Sequence, residues 1–276
     1  MVQRANWTIF HLSQMGVRVH SGNRLQKAKQ LLEQFISPKF TLRPENEALQ
    51  RRIIDAHKSI YEQYVITRCF AGCNNEIEKG IKVKLEVMLG GADKEEEDRN
   101  STARDTQFEL YVASTLMMGG VLVKFDEPDL HFNYGKEFIG VAIKRLKSLK
   151  QLEKRVKAGV MQIEKSGRRG FIAVNLDTFL KKVRLVGEDA DRFVQFDKSN
   201  LPLLKMEPLL GENPMVAGIL AFESTASWIF GEGKPKMDFS NFHRFVSYFD
   251  DPKEKEFGQV FLNNLISNIS MRLSTL

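Results

Sequence analysis

Cysteine is scarce in this chain, and the sequence features typical of secreted and membrane proteins are absent. Two cysteines, Cys69 and Cys73, are too few for a disulfide framework. Their C-x-x-x-C spacing, without a second pair, also supplies too few ligands for zinc. No run approaches the eighteen or so apolar residues of a membrane-spanning helix, and the first ten residues lack the layout of a secretory signal. These absences predict a cytoplasmic protein with reduced cysteines and no membrane partner.

The composition is that of a globular protein. The chain has 276 residues, of which 42% are hydrophobic and 28% charged, enough for one large domain or two modest ones. An acidic, polar stretch at residues 90–102 (GGADKEEEDRNST) has no apolar residue beyond Ala92, which is typical of an exposed loop. We therefore expect a mainly helical N-terminal region at residues 1–98 and a second domain at residues 99–276.

Positive charge is concentrated between Lys136 and Arg169. Eleven Lys and Arg residues stand there against three acidic residues, a net charge of +8, while the whole chain carries +6 and the remainder therefore −2. Because counterion release from phosphates drives nonspecific binding to nucleic acids, such a stretch favours a polyanion-binding face. A solvated helix face accounts for the charge equally well.

Apolar spacing predicts the secondary structure. In the N-terminal region it predicts helices at residues 21–35 and 44–67. Beyond residue 99 it predicts, in order, a helix at 104–117, strands at 121–125, 129–134 and 138–144, a helix at 148–165 capped by Ser148, and strands at 170–176 and 215–222. A last helix is predicted at 253–273, and Phe239, Phe242, Phe245 and Phe249 before it have helical spacing. The order α, β, β, β, α, β indicates an α/β domain.

Two polar residues lie at strand ends that this order brings together. Asp129 follows Pro128 at the start of one predicted strand, and Lys144 ends the next. Antiparallel strands joined by a tight turn have neighbouring outer ends, so we expect these two side chains to be close. A carboxylate there could hold a divalent cation against a phosphate, and the lysine could orient an attacking water.

The run from Arg104 to Asp177 resembles the core of the PD-(D/E)xK nuclease superfamily. The resemblance is carried by FEL at 108–110, EPDL at 127–130, IGVAIKR at 139–145, and a basic helix containing Gln162. It implies a restriction-endonuclease-like αβββαβ core, with a central mixed sheet flanked by helices. It also implies a magnesium- or manganese-dependent nuclease that hydrolyses phosphodiester bonds in DNA.

The same resemblance implies roles for individual residues. The catalytic residues would be Glu109, Asp129, Lys144 and Gln162. The metal would be held by Asp129, Glu109 and the backbone carbonyl of Ile143, and Lys144 would position the water. The sequence departs from the family at Ala142, where relatives carry an acid two residues before the lysine, so Glu109 would substitute for that acid. Residues along the nucleic-acid backbone would be Arg145, Lys147, Lys150, Lys154, Arg155 and Lys157.

Two other interpretations remain open. The same core with an incomplete site would be a catalytically inactive module that binds nucleic acid or a protein partner. Alternatively, the N-terminal helices could bind another protein or a second copy of this chain, because nothing in them suggests chemistry.

Overall fold

The computed structural model describes residues 1–43, 45–72, 79–92, 100–146, 148–176, 183–186, 192–196, 210, 213–230 and 235–247. The chain divides into two compact units, one built on Met1–Ser114 and the other on Thr115–Val186, each with later segments added. The boundary expected between residues 98 and 99 lies outside the described residues.

The first unit is helical. Its helices are α1 (Val2–Gln14), α2 (Arg24–Ile36), α3 (Glu47–Ala71), α4 (Lys79–Met88) and α5 (Thr102–Met118), the last ending in the second unit. The side chains of Asn23 and Asn46 cap α2 and α3 by accepting the backbone amides of Gln26 and Leu49, which satisfies donors that a helix start leaves unpaired.

A buried polar network connects the helices of this unit. Arg24 Nη2 donates to the Met88 carbonyl at 2.8 Å and also to Gln107 Oε1. Gln107 Nε2 donates in turn to Glu62, whose carboxylate pairs with Lys58. Buried charges are tolerated where hydrogen bonds and opposite charges compensate them. The network therefore joins α2, α3 and α5 through polar contacts as well as apolar packing.

The second unit contains a mixed sheet, which confirms the α/β class. Its elements are β1 (Val123–Lys124), β2 (Leu130–Tyr134), β3 (Glu137–Arg145), α6 (Leu152–Ser166), β4 (Gly170–Asn175), β5 (Val183–Val186), β6 (Arg192–Phe196), β7 (Val216–Phe230) and β8 (Lys236–Ser247). The first residue of β6, the last three of β7 and the first of β8 belong to the first unit. Among the described residues the strand order is β1-β2-β3-β4-β7-β6-β5, with β8 also paired to β7. β2 and β3 form an antiparallel hairpin, and the β3–β4 and β4–β7 pairs are parallel.

Helix α6 covers one face of this sheet. Its buried positions Leu152, Val156, Gly159 and Ile163 follow helical spacing. The three apolar side chains among them join a cluster with Ala142 and Ile172. A Cβ on Gly159 would lie 3.0 Å from Cγ2 of Ile172, so the glycine allows a close approach of helix and strand. This packing places the polar residues near the end of α6 over β3.

The structure corrects two details of the sequence interpretation. Helix α6 begins at Leu152 rather than at a Ser148 cap, because a 3₁₀ turn at Leu149–Gln151 precedes it and Gln151 makes no side-chain cap hydrogen bond. The helical spacing at Phe239, Phe242 and Phe245 is misleading, because these residues lie in β8, where pairing with β7 overrides the local pattern. Phe249 and the helix expected at 253–273 lie outside the described residues.

None of the described helices combines the length and apolar character needed to cross a membrane.

Candidate functional site

Asp129 lies where β2 and β3 diverge, immediately before the first residue of β2. The hairpin register pairs Leu130 with Val141, and so directs Asp129 toward the end of β3. Its Oδ2 accepts the backbone amide of Ile143 at 2.6 Å, and its Oδ1 accepts Nε2 of Gln162 at 2.8 Å. The carboxylate is therefore fixed from both the strand and the helix.

Lys144 lies beside this carboxylate, as the sequence predicts. Its Nζ is 3.3 Å from Asp129 Oδ2 and donates a further hydrogen bond to Gln162 Oε1. The Lys144 side chain is only 13% exposed, whereas that of Asp129 is 30% exposed. The ammonium is therefore largely screened from bulk water, and the carboxylate retains a solvent-facing side.

Gln162 connects the other members of the group. Its amide nitrogen donates to Asp129 and to the Pro128 carbonyl, and its amide oxygen accepts from Lys144. The amide thus uses its donors and its acceptor on three different residues. Its most direct role here is to hold the carboxylate and the ammonium in a common geometry.

The segment before Asp129 is packed tightly against β3. A Cβ on Gly140 would lie 2.9 Å from Pro128 Cδ and 3.0 Å from its Cγ. Only glycine leaves room for the proline ring at this distance. Since Asp129 follows Pro128 directly, the contact with Gly140 helps to determine where the carboxylate lies.

Ala142 is fully buried in the apolar cluster beneath α6. Alternation along β3 places it on the same face as Lys144, two residues further on. At the position where the resemblance expects a second carboxylate, this face therefore carries a methyl group surrounded by apolar side chains.

Glu109 belongs to the first unit. Both of its carboxylate oxygens accept from Lys84 Nζ, at 2.7 and 2.9 Å. Its contribution to a site with Asp129 stays a prediction.

The other residues implied by the resemblance have separate settings. Ile143 contributes its amide to Asp129, and metal binding by its carbonyl stays a prediction. Arg145 is half-buried at the end of β3, and Lys147 lies outside the described residues. Four of the basic residues are exposed: Lys150, just before α6, and Lys154, Arg155 and Lys157 on it.

Sequence reasoning missed a second polar group beside the site. Arg168 donates to the Glu127 carbonyl and contacts His131 Nδ1 at 3.2 Å and Asp126 Oδ2 at 3.6 Å. Burial lowers the pKa of His131 and Arg168 lowers it further, while Asp126 opposes the shift. The sequence shows a basic pair, Arg168-Arg169, after a helix and an acidic pair, Asp126-Glu127, before a proline. No pattern in the sequence indicates that the two pairs meet.

The donors at the site are sparse for a metal ion. Among the described residues, no group of three or more His, Cys, Asp or Glu side chains is placed to share one. Mg²⁺ is, however, commonly bound by one or two carboxylates together with waters and substrate phosphates. Asp129 uses three acceptor positions on Ile143, Lys144 and Gln162, and a carboxylate offers about four. About one acceptor position of Asp129 is therefore left for a further ligand.

Comparisons with known proteins add no relative. No family model matches the sequence, and neither the curated proteins nor the solved structures gave a match.

Proposed function

We propose that this protein is a metal-dependent nuclease that hydrolyses phosphodiester bonds in DNA. The observation that supports this best is the convergence of Asp129, Lys144 and Gln162 where β2 and β3 diverge. The order α5, β1, β2, β3, α6, β4 is that of the proposed restriction-endonuclease-like core.

Each residue of the group has a role that suits its contacts. Asp129, with Glu109 as the second acid, would hold Mg²⁺ or Mn²⁺, which would supply charge stabilisation and a more acidic bound water. The Lys144 ammonium, held close to the reacting phosphate, offsets negative charge that develops on the phosphoryl oxygens and orients the water. Gln162 keeps the lysine and the aspartate in position.

The exposed basic residues of α6 suit a substrate backbone. Lys154 and Arg155 are both exposed on this helix. Positive charges in this arrangement attract phosphates without reading sequence.

A second function, binding without cleavage, is favoured by one observation. Ala142 is buried among apolar side chains where a second acid is expected. Asp129 would then be the second unit's one proposed carboxylate ligand, and it already accepts three hydrogen bonds. A module of this kind would hold nucleic acid through α6.

Asp129→Asn tests the nuclease assignment. The substitution preserves shape and removes a negative metal ligand, so we expect cleavage of plasmid DNA to fall by at least about a hundredfold while DNA binding stays nearly intact. Asp126→Asn is the matched control, because it makes the same chemical change at a carboxylate that is 61% exposed. Equal cleavage by wild type and Asp129→Asn at limiting metal would refute the site.

The two functions separate on metal uptake. The nuclease should bind Mn²⁺ or Mg²⁺ in calorimetric titrations with DNA present and should cleave. If the protein binds DNA but neither takes up metal nor cleaves, binding without cleavage becomes the function and the nuclease proposal is wrong. Glu109→Gln extends the test. If Glu109 acts with Asp129, the double variant should lose little more cleavage activity than either single variant.

A further inference from the structure

The first unit carries a group of aromatic and basic side chains that the proposed reaction does not use; Phe10 and Arg68 are exposed, and the other four members are half-buried. The group lies on α1 and α3, which pack together. Its members, called here the aromatic–basic surface, are Arg4, Trp7, Phe10, His11, Tyr64 and Arg68.

The rings of this surface hold one another in fixed orientations. Trp7 stacks on His11 with ring centroids 3.8 Å apart, and Tyr64 meets Trp7 edge-on at 5.1 Å. The guanidinium of Arg4 lies 5.2 Å from the centre of the Tyr64 ring, within cation–π range. Aromatic side chains that are already ordered lose little conformational entropy when they bind a flat ligand.

Phe10 is the exposed edge of the surface. Its side chain is 58% exposed, although the opposite side of α1 is buried at Ala5, Thr8 and Leu12. Phe10 contacts His11 edge-on, with ring centroids 5.1 Å apart. An unpaired aromatic face is therefore available next to an ordered stack of rings.

The charge around these rings is positive. The first 32 residues contain no Asp or Glu, and five Lys and Arg. On α3, the residues spaced along the same side, His57, Tyr61, Tyr64 and Arg68, include no acid either. Burial, followed by nearby positive charges that include Arg4, lowers the pKa of His57 to about 4. An anionic ligand meets no opposing carboxylate on these positions.

We propose that the aromatic–basic surface binds a single-stranded segment of nucleic acid, with bases stacked on Phe10 and Trp7 and phosphates near Arg4 and Arg68. Base stacking on aromatic rings next to cationic side chains is the general chemistry of single-strand recognition. The bases of a duplex are already stacked on one another, so a duplex offers these rings no base face. The inference deepens the proposed function, on which its choice of a nucleic-acid ligand rests.

Tryptophan fluorescence gives a direct test because the chain has only two tryptophans. Trp228 is fully buried, so a stacked base should quench Trp7 alone. We would titrate the Asp129→Asn protein, without metal, with an oligothymidylate of about 16 nucleotides, the upper end of single-module site sizes. We expect saturable quenching that Trp7→Phe abolishes, and much weaker quenching by a hairpin duplex of similar length.

Substitutions of exposed residues then locate the contact. Phe10→Ala should weaken binding by about tenfold, a typical loss for one stacked base, while Phe10→Tyr should retain it. Arg68→Gln should lower the salt dependence of binding by about one phosphate. Val83→Ala, which truncates another apolar residue of the same unit that is 51% exposed, is the matched control and should bind like the parent.

Three results would overturn the proposal: no quenching, equal affinity in Phe10→Ala, or Phe10-dependent self-association in sedimentation, which would assign the surface to a second copy of the chain. Failure of the nuclease proposal would give a different result. In that case the protein would not cleave DNA in the presence of metal, but its quenching by the oligonucleotide would still depend on Phe10.

Discussion

At the scale of single residues, Asp129 and Lys144 illustrate what local sequence determines. The register Tyr134 to Glu137 leaves a two-residue turn whose Gly135 has φ +61°, a conformation typical of tight hairpins. With that turn set, Asp129 and the end of β3 must be neighbours, and the pair was predictable. The contact of Arg168 with His131 spans 37 residues and depends on how α6 ends, so no local pattern could indicate it.

Gly140 provides a prediction at this scale. In Gly140→Ala the new Cβ would lie 2.9 Å from Pro128 Cδ, which belongs to a rigid ring, so backbone must move. We expect a loss of about 1 to 3 kcal/mol of unfolding free energy in urea titrations, and reduced cleavage because Asp129 moves with Pro128.

The matched substitution is Gly80→Ala in α4, where a Cβ would meet nothing within 4 Å. It should be neutral or stabilise by up to about 1 kcal/mol. Equal stability of the two variants would show that the contact between Gly140 and Pro128 does not constrain the segment.

At the scale of elements, amphipathic patterns predicted helices and short strands reliably. The pairing of strands that are distant in the sequence could not be predicted in this way. The apolar stripe on α6 and the short strands β2 and β3 lie close to their predicted bounds, because half-buried elements carry their own periodicity. β8 was interpreted as helical because its phenylalanines recur every third residue, and only the pairing with β7 decides its conformation. The same distinction applies to the candidate site. The positions of its residues on the strands could be predicted from the sequence, whereas the hydrogen bonds of Gln162 depend on how α6 packs against the sheet.

Helix α6 gives the prediction for an element. Lys157 Nζ is 2.7 Å from Glu153 Oε1, whereas Lys154 is exposed and forms no ion pair with any residue in the described part of the chain. If α6 follows a nucleic-acid backbone, Lys154→Gln should reduce the slope of log affinity against log salt by about 0.9. Lys157→Gln should reduce it less, because Glu153 already offsets part of that charge.

Fluorescence anisotropy over a series of salt concentrations measures both slopes with one labelled duplex. Because the two lysines share a helix and a side-chain type, each serves as control for the other. Wild-type slopes in both variants would exclude α6 from the interface.

At the scale of the whole molecule, the two units have different kinds of core. The second is an apolar cluster between α6 and the sheet, whereas the first includes a buried network of Arg24, Gln107 and Glu62. Trp7 and Trp228 both belong to the first unit, so tryptophan fluorescence follows the unfolding of that unit. This separation matters, because a chain of two units need not unfold in one step.

His57 should make the stability of the first unit depend on pH. Burial, with the adjacent positive charges, lowers its pKa to about 4 from the ordinary value of 6.5. The folded state therefore favours neutral histidine, and its stabilising contribution is complete above about pH 6.5. As the pH falls from 6.5 toward 4, His57 becomes protonated in the unfolded chain but stays largely neutral in the folded chain. The unfolding free energy should therefore decrease by about 3 kcal/mol. Urea titrations followed by tryptophan fluorescence at several pH values in this window measure the decrease. His57→Gln, which cannot titrate, should flatten the dependence by roughly that amount while keeping the wild-type circular dichroism spectrum at pH 7. If the variant lost stability with the same slope as wild type, other groups would have to account for the acid sensitivity of the first unit.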